Sequence, residues 1–330
     1  MEYILLISFL LSFLVTFIVT PRWVKRAVDS GLTGKDMNKL KSPRIAEIGG
    51  ICVVMGFLIG MLFYIALETF YFKSEYRTAQ LMAVVATVLI VTIIGLVDDI
   101  LGWKIGLRQW QKPLLVLFAS LPIVVLNVGK SLMHIPFIGD VNFGMLYPFL
   151  LVPIAITGAA NGFNLLGGFN GLEAGMGAII LFSLGFIAWL TESSWVSMIA
   201  IIMFFSLLAF YFYNKHPSKV FPGDTLTYSV GALIAAVAIA GNLERMALIL
   251  FIPYFIELII KAKNRFKTEC FAVPQRDGSL KPPAKIGSLT HLIVKIINKI
   301  NGKAYERDVV YSLFLFEIIL VIIGFGLWLI

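Results

Sequence analysis

Long, unbroken apolar stretches alternate with short polar connections along most of this chain. The apolar runs occupy approximately 3–20, 48–70, 79–97, 113–128, 145–163, 172–190, 195–213, 225–241, 245–261 and 309–330. A helix needs about 20 such residues to cross the hydrocarbon layer of a bilayer. Strands of a membrane barrel would instead alternate in polarity over segments of about ten residues. The pattern therefore predicts an all-α fold, a polytopic membrane protein of about ten transmembrane helices forming a single domain over 1–330.

The longest polar connection, 262–308, carries its own pattern. Ile286, Leu289, Leu292, Ile293, Ile296, Ile297 and Ile300 recur at three- and four-residue spacing, with Lys285, His291, Lys295 and Lys299 off the stripe. This predicts an amphipathic interfacial helix before the last span. Just upstream, Asp277-Gly278 between short runs predicts a hairpin.

Composition supports lipid as the solvent. The chain is 59% hydrophobic and 14% charged, whereas soluble domains carry roughly 25% charged residues. Cys52 and Cys270 are too few for a disulfide framework and have no neighbours for a zinc site. Pro21-Arg22-Trp23-Val24-Lys25-Arg26 follows the first run without a small-residue cleavage pattern, so 3–20 reads as a retained helix.

Charge then orients the spans. Of the 27 Lys and Arg residues, 23 lie in the connections 21–47, 98–112, 213–224 and 261–308, leaving Lys73, Arg77, Lys130 and Arg245 on the other face. The positive-inside rule makes the basic face cytoplasmic and both termini extracytoplasmic. The connection at 160–172 falls on the same cytoplasmic face.

That face also collects the candidate chemistry. Asp98-Asp99 end an apolar run, where carboxylates are costly and point to function. Asn161-Gly-Phe-Asn164-Leu-Leu-Gly-Gly168-Phe-Asn170-Gly-Leu-Glu173 combines poor helix formers that let backbone approach a flat ligand. Asp224, in Phe221-Pro-Gly-Asp224-Thr225, reads alone as a helix N-cap. Lys112 reads as an interfacial anchor, and Glu47 sits at the mouth of a span. Together, these oxygen ligands suit Mg²⁺, with Mn²⁺ as the alternative, better than zinc. The net charge of +8, gathered on that face, implies an anionic, phosphorylated substrate; a nucleic-acid partner is not expected.

Five motifs in order give the chain a family resemblance. They are Asp36-Met37-Asn38-Lys39 with Glu47 beyond it, Gly95-Leu-Val-Asp98-Asp99, Lys112, the Asn161–Gly175 segment, and Phe221-Pro-Gly-Asp224-Thr225. The chain resembles the polyprenyl-phosphate N-acetylhexosamine-1-phosphate transferases, most closely their archaeal and eukaryotic branch. The resemblance implies ten membrane helices and a cytoplasmic active site. It also implies transfer of GlcNAc-1-phosphate from UDP-GlcNAc to dolichyl or polyprenyl phosphate with release of UMP, the opening membrane step of N-glycosylation.

By the same resemblance, Asn164 and Asp224 are Mg²⁺ ligands. Gly168 and Phe221 flank the uracil, and Asn170 and the Met37 backbone bond its edge, within the motif that Asn161 opens. Lys112 contacts phosphate, Glu47 lies on the nucleotide-sugar side, and Asp98 and Asp99 are the paired aspartates. The chain lacks the histidine cluster of the bacterial branch and the Arg-His-Arg stretch of the eukaryotic one. Arg265, among Lys263, Lys267 and Arg276, is the basic residue expected to serve the sugar there. The expected partners are a UDP-N-acetylhexosamine, a polyprenyl or dolichyl phosphate, membrane lipid and a second copy in a homodimer. The expected location is the cell membrane, or the ER membrane for a eukaryotic source. Two competing readings are a related transferase of another hexosamine and a carboxylate-lined transporter. The transporter would need acids inside several spans, where only Glu257 and Glu317 are evident.

Overall fold

A computed structural model describes residues 3–73, 77–135 and 139–329; Ile330, the end of the last predicted run, lies outside them. A short helical turn, Tyr3–Leu5, opens into α1 (Leu6–Asp29), which continues through Pro21 well past the predicted end at 20. α2 (Gly50–Ala66) runs on as a π-helical turn, Leu67–Tyr71, and α3 (Thr78–Ile105) is kinked at Gly102, whose φ is 69°. After α4 (Gln111–Ala119) and α5 (Leu121–Val125) comes a hairpin of β1 (Leu132–Ile135) and β2 (Gly139–Asn142). α6 (Val152–Leu165), α7 (Leu172–Leu190), α8 (Ser194–Asn214) and α9 (Gly223–Gly241) come next. α10 (Glu244–Leu250), α11 (Ile252–Lys263), α12 (Leu289–Asn301) and α13 (Glu306–Leu329) complete the helices.

Among the described residues, eight helical segments are long and apolar enough to cross a bilayer, which makes this a multi-pass membrane protein. They match eight of the ten predicted runs. The other two, 113–128 and 245–261, are each broken into two shorter helices, at Ser120 and Phe251. A proline sits just after each break, Pro122 and Pro253. Its missing N–H and its ring interrupt the hydrogen-bond ladder.

α9 is the axis of the bundle. It packs on α3 and α6 and also touches α2, α7, α8 and α10, and every residue from Thr225 to Ile239 is buried. A Cβ on Gly95 would fall 2.6 Å from the Asp224 carbonyl oxygen, so glycine is what lets α3 meet the start of α9. α1 is joined to α2 and α8 by hydroxyls at four-residue spacing. Ser12 donates to Ile202 O (2.8 Å), and Thr16 bonds Ser206, which donates to Val53 O (2.6 Å).

At one end of the bundle the connections fold over one another. The predicted hairpin forms as Val273–Pro274 pairs with Leu280–Lys281. The amphipathic helix is α12, with Leu292, Ile296 and Ile300 exposed as an apolar row. His291, expected on its polar side, is instead buried. It accepts from Gly287 N (3.2 Å), and its Nε2 lies 2.8 Å from Phe271 O. Glu257 on α11 anchors this region, accepting from Leu289 N (2.6 Å) and Ser288 Oγ (3.0 Å).

Candidate active site

The adjacent aspartates at the end of α3 serve different partners. Asp99 accepts from the backbone N–H groups of Asp224 (2.8 Å) and Thr225 (2.9 Å) and from the Thr225 hydroxyl (2.6 Å). Those amides belong to the first turn of α9, where donors have no acceptor within the helix. A neighbouring carboxylate therefore caps α9 and meets the positive end of its dipole. Asp224, which alone reads as the N-cap, is the second residue of α9, so its carboxylate is turned to the cavity.

Asp98 organises the connection between α3 and α4. It accepts from Leu107 N (2.7 Å) and pairs with Lys112 Nζ (2.6 Å). The same ammonium reaches Asp224 Oδ2 at 2.8 Å, bridging α3 and α9 from the start of α4. Three helices thus converge on one lysine.

Opposite stands a corner built from amides. Asn38 donates to Gly168 O (2.8 Å) and accepts from Ala272 N (3.0 Å), tying three connections together. Asn170 donates its side-chain amide to Asp36 (3.0 Å) and its backbone N–H to Glu306 (2.8 Å). Glu306 also takes Lys39. Gly168 has φ +86°, a conformation that favours glycine, and a Cβ there would lie 2.8 Å from the Phe271 ring. Glu173 reaches back to accept from Gly168 N (2.8 Å).

Between the corners lies a cavity of about 360 Å³. Met37, Glu47, Asn164, Gly168, Asn170, Phe221 and Asp224 all line it. The Phe221 segment is stitched to the mouth of α2, since Phe221 N donates to Ala46 O (2.7 Å) and Gly49 N to Phe221 O (2.9 Å). Asp98, Asp99 and Lys112 stand behind the wall and act on it through Asp224 and α9. Asn161 is not in the lining; its amide donates to Thr157 O (2.8 Å) and accepts from Tyr228 (3.3 Å). Arg265 is exposed beyond the end of α11 and does not line the cavity. Lys261, one turn earlier, does, with its ammonium on Leu165 O (2.7 Å).

Glu47 is half-buried, and burial together with the Asp99 charge raises its pKa above the ordinary carboxylate value. The lining holds five carboxylates, Asp36, Glu47, Glu173, Asp224 and Glu269, against Lys35 and Lys261. A pyrophosphate entering such a wall needs an additional cation. The donor set fits Mg²⁺: Asn164 and Asp224 offer hard oxygens, and this ion binds through one or two protein groups plus phosphates and water. Among the described residues, no group of three or more His, Cys, Asp or Glu forms a self-sufficient metal cage.

Several site residues carry no separate signal in the sequence. Asp36, Asn38 and Lys39 stand out only as members of a motif, and Phe271 only as the flank of a hairpin. Glu306 opens an apolar span as any helix-start acid would.

A bundle of membrane helices with a carboxylate-lined cavity at one end is the arrangement the motifs led us to expect, and the comparisons agree. Residues 81–242 match the glycosyl transferase family 4 model, and the chain belongs to that family. A relative from Saccharolobus solfataricus, provisionally named UDP-N-acetylglucosamine–dolichyl-phosphate N-acetylglucosaminephosphotransferase, is 38% identical over 92% of this chain and 91% of its own length. One from Sulfolobus acidocaldarius, with the same provisional name, is 36% identical over 89% of this chain and 87% of its own. The protein of that name from Dictyostelium discoideum is 28% identical over 90% of this chain and 82% of its own. The resemblance read from the motifs is thereby borne out.

Proposed function

We propose that the protein transfers N-acetylglucosamine 1-phosphate from UDP-GlcNAc to dolichyl or a related polyprenyl phosphate, releasing UMP. The observation that carries this reading is the Lys112 ammonium held between Asp98 and Asp224, beside a cavity that Asn164 also lines. The names of the full-length relatives supply the substrates.

The uracil end of the nucleotide belongs in the amide corner, between Gly168 and Phe221, with Asn170 and the Met37 backbone at its edge. The pyrophosphate belongs over Asn164 and Asp224. Mg²⁺ held by these two residues would supply Lewis-acid neutralisation of its charge. Lys112 adds a positive charge fixed before the reaction begins, the kind of preorganised electrostatics on which phosphoryl transfer depends.

An apolar groove of about 380 Å³ between α6, α9, α10 and α11 is suited to the isoprenoid chain. It extends to Gly162 and Leu258, within a turn of Asn164 and Lys261. An oxygen of the lipid phosphate attacks the sugar-side phosphorus. A new P–O–P link forms, the bond to the UMP oxygen breaks, and UMP leaves with the electron pair. A lipid phosphate is already ionised near neutrality, its second pKa being about 6, so the step needs no general base. Both oxygens of Asp99 are engaged with α9, and Asp98 is held by Leu107 and Lys112. These contacts favour positioning roles for the pair over proton transfer.

The segregation of 23 of 27 basic residues supports ten membrane segments, with both termini outside and the site facing the cytoplasm of the cell membrane. The broken helices α4–α5 and α10–α11 would be the two further segments, fourth and ninth in chain order.

The test is UMP release by the purified protein given UDP-GlcNAc, dolichyl phosphate and Mg²⁺, with EDTA and UDP-GalNAc as controls. Release that requires the lipid and the metal is expected. No release from folded protein with any UDP-hexosamine would overturn the activity and leave the architecture standing.

A further inference from the structure

We propose that α7, α8 and α13 form a second lipid site, one that binds an anionic phospholipid of the bilayer and is separate from the groove assigned to the substrate. A cavity of about 180 Å³ lies at the site end of these helices, lined by Asn170, Tyr211, Lys215, His216, Arg307 and Tyr311. Two of its cations are uncommitted to carboxylates. Arg307 is exposed and forms no ion pair among the described residues, and the Lys215 ammonium sits 5.3 Å from the Phe212 ring. The nearby acids are already engaged. Glu306 takes Lys39, Asn170 N and the His216 ring (3.3 Å), Asp308 caps Tyr305 N (2.9 Å), and neither carboxylate lines the cavity. The cavity is therefore a positive pocket suited to a phosphate.

Below it, along the same three helices, runs an apolar groove of about 520 Å³ walled by Ile179, Phe182, Phe204, Leu208, Phe314 and Ile318. Tyr211 lines both spaces, and the Phe314 ring lies 6.2 Å from Tyr211 and 6.3 Å from Tyr311. The hydroxyl of Ser183 in the groove is spent on Ile179 O (2.7 Å). A basic, tyrosine-rimmed pocket opening onto a hydrocarbon groove has the amphipathic shape of a phospholipid at the interface. A free anion would need only the upper part. Because Asn170 lines this pocket and the larger cavity alike, the bound headgroup abuts a residue of the nucleotide site.

The experiment uses the full chain in detergent, adding phosphatidylglycerol, phosphatidylcholine or inorganic phosphate separately. The readouts are the unfolding temperature and retained lipid by native mass spectrometry. Phosphatidylglycerol should raise the midpoint and be retained, with no such effect from phosphatidylcholine. The double variant K215E/R307E should weaken retention about tenfold or more, as expected for losing two charge-assisted contacts. K299E, an exposed charge reversal on α12, should leave it unchanged. Equal weakening by K299E would overturn the site in favour of general surface charge, and an equal shift with inorganic phosphate would overturn the lipid. If the charge reversals prevent folding, K215Q/R307Q with a wild-type midpoint in phosphatidylcholine supplies the same comparison. Undiminished retention there overturns the proposal.

Discussion

The two corners of the cavity are built on opposite plans. One is made of charges on the ends of helices, where Asp98, Asp99, Lys112 and Asp224 pair across α3, α4 and α9. The other is made of amides on connections, where Asn38 and Asn170 bind backbone and side chains of distant loops. A charged array anchored in packed helices moves little, and so provides a fixed field for a reaction that redistributes charge. In the amide corner the Asp36 and Glu306 carboxylates are spent on Asn170 and Lys39, so it works by hydrogen-bond geometry, which suits recognition of a flat, hydrogen-bonding base. The division predicts that damage to the first corner appears in turnover and damage to the second in affinity.

The largest effect should come from the charged corner. Asp224→Ala and Asn164→Ala are each expected to lower the initial rate of UMP release by about 10²-fold or more, and EDTA should abolish release. Near-normal rates at ordinary Mg²⁺ would break the assignment of both residues. Lys112→Ala should be of similar size, because it removes a cation and leaves Asp98 and Asp224 facing each other. Combining it with Asp98→Ala should cost less than the two losses together, since the residues act as a unit.

Asp99→Ala tests whether that aspartate is a cap. Loss of a cap costs about 1–2 kcal/mol, so the unfolding midpoint should fall along with kcat, and Asp99→Asn should recover part of both. A normal midpoint with dead enzyme would move Asp99 into the chemistry instead. In the amide corner, Asn170→Ala should raise KM for UDP-GlcNAc about tenfold, equivalent to roughly 1.4 kcal/mol, with kcat nearly unchanged. A pure kcat loss would erase the contrast between the corners.

The smallest effect concerns Glu47. Its folded-state pKa is raised above 4.5, so ionisation is harder in the folded state than in the unfolded one. That cost is absent below the unfolded value and grows as pH rises toward the folded one. Glu47→Gln should therefore gain stability over the wild type between acid and neutral pH, as read by thermal unfolding. A gap that does not change with pH would remove the carboxylate from this electrostatic account.

Hydropathy makes the spans legible because lipid demands it at every position of a crossing helix. The breaks at Ser120 and Phe251 escape it, because a scale that averages over a window does not register where one missing N–H ends a ladder. At the site, membrane topology alone gathers Glu47, Asp98, Lys112, Asn164 and Asp224 on one face, and the cavity or its supporting wall includes them all. Pairing is not legible. Nothing in the periodicity around Asp99 says that its acceptor capacity goes to α9, 125 residues on, or that Asn38 meets Ala272 across 234 residues. Arg265 has the charge and the basic-loop position expected of a sugar-binding residue, yet it lies exposed past the helix end while Lys261 is directed inward.

The hydroxyl seam of α1 bears on how the protein is made. Ser12 and Thr16 find their partners on α8, 190 residues later in the chain. At ribosomal speeds of about 5–20 residues per second, that gap is roughly 10–40 s. The first helix therefore packs first on α2, whose Cys52 O lies 3.3 Å from the Thr16 hydroxyl, and its hydroxyl seam stays incomplete until α8 is synthesised. The birth order of the helices thus delays closure of the bundle until most of the chain has been threaded into the membrane.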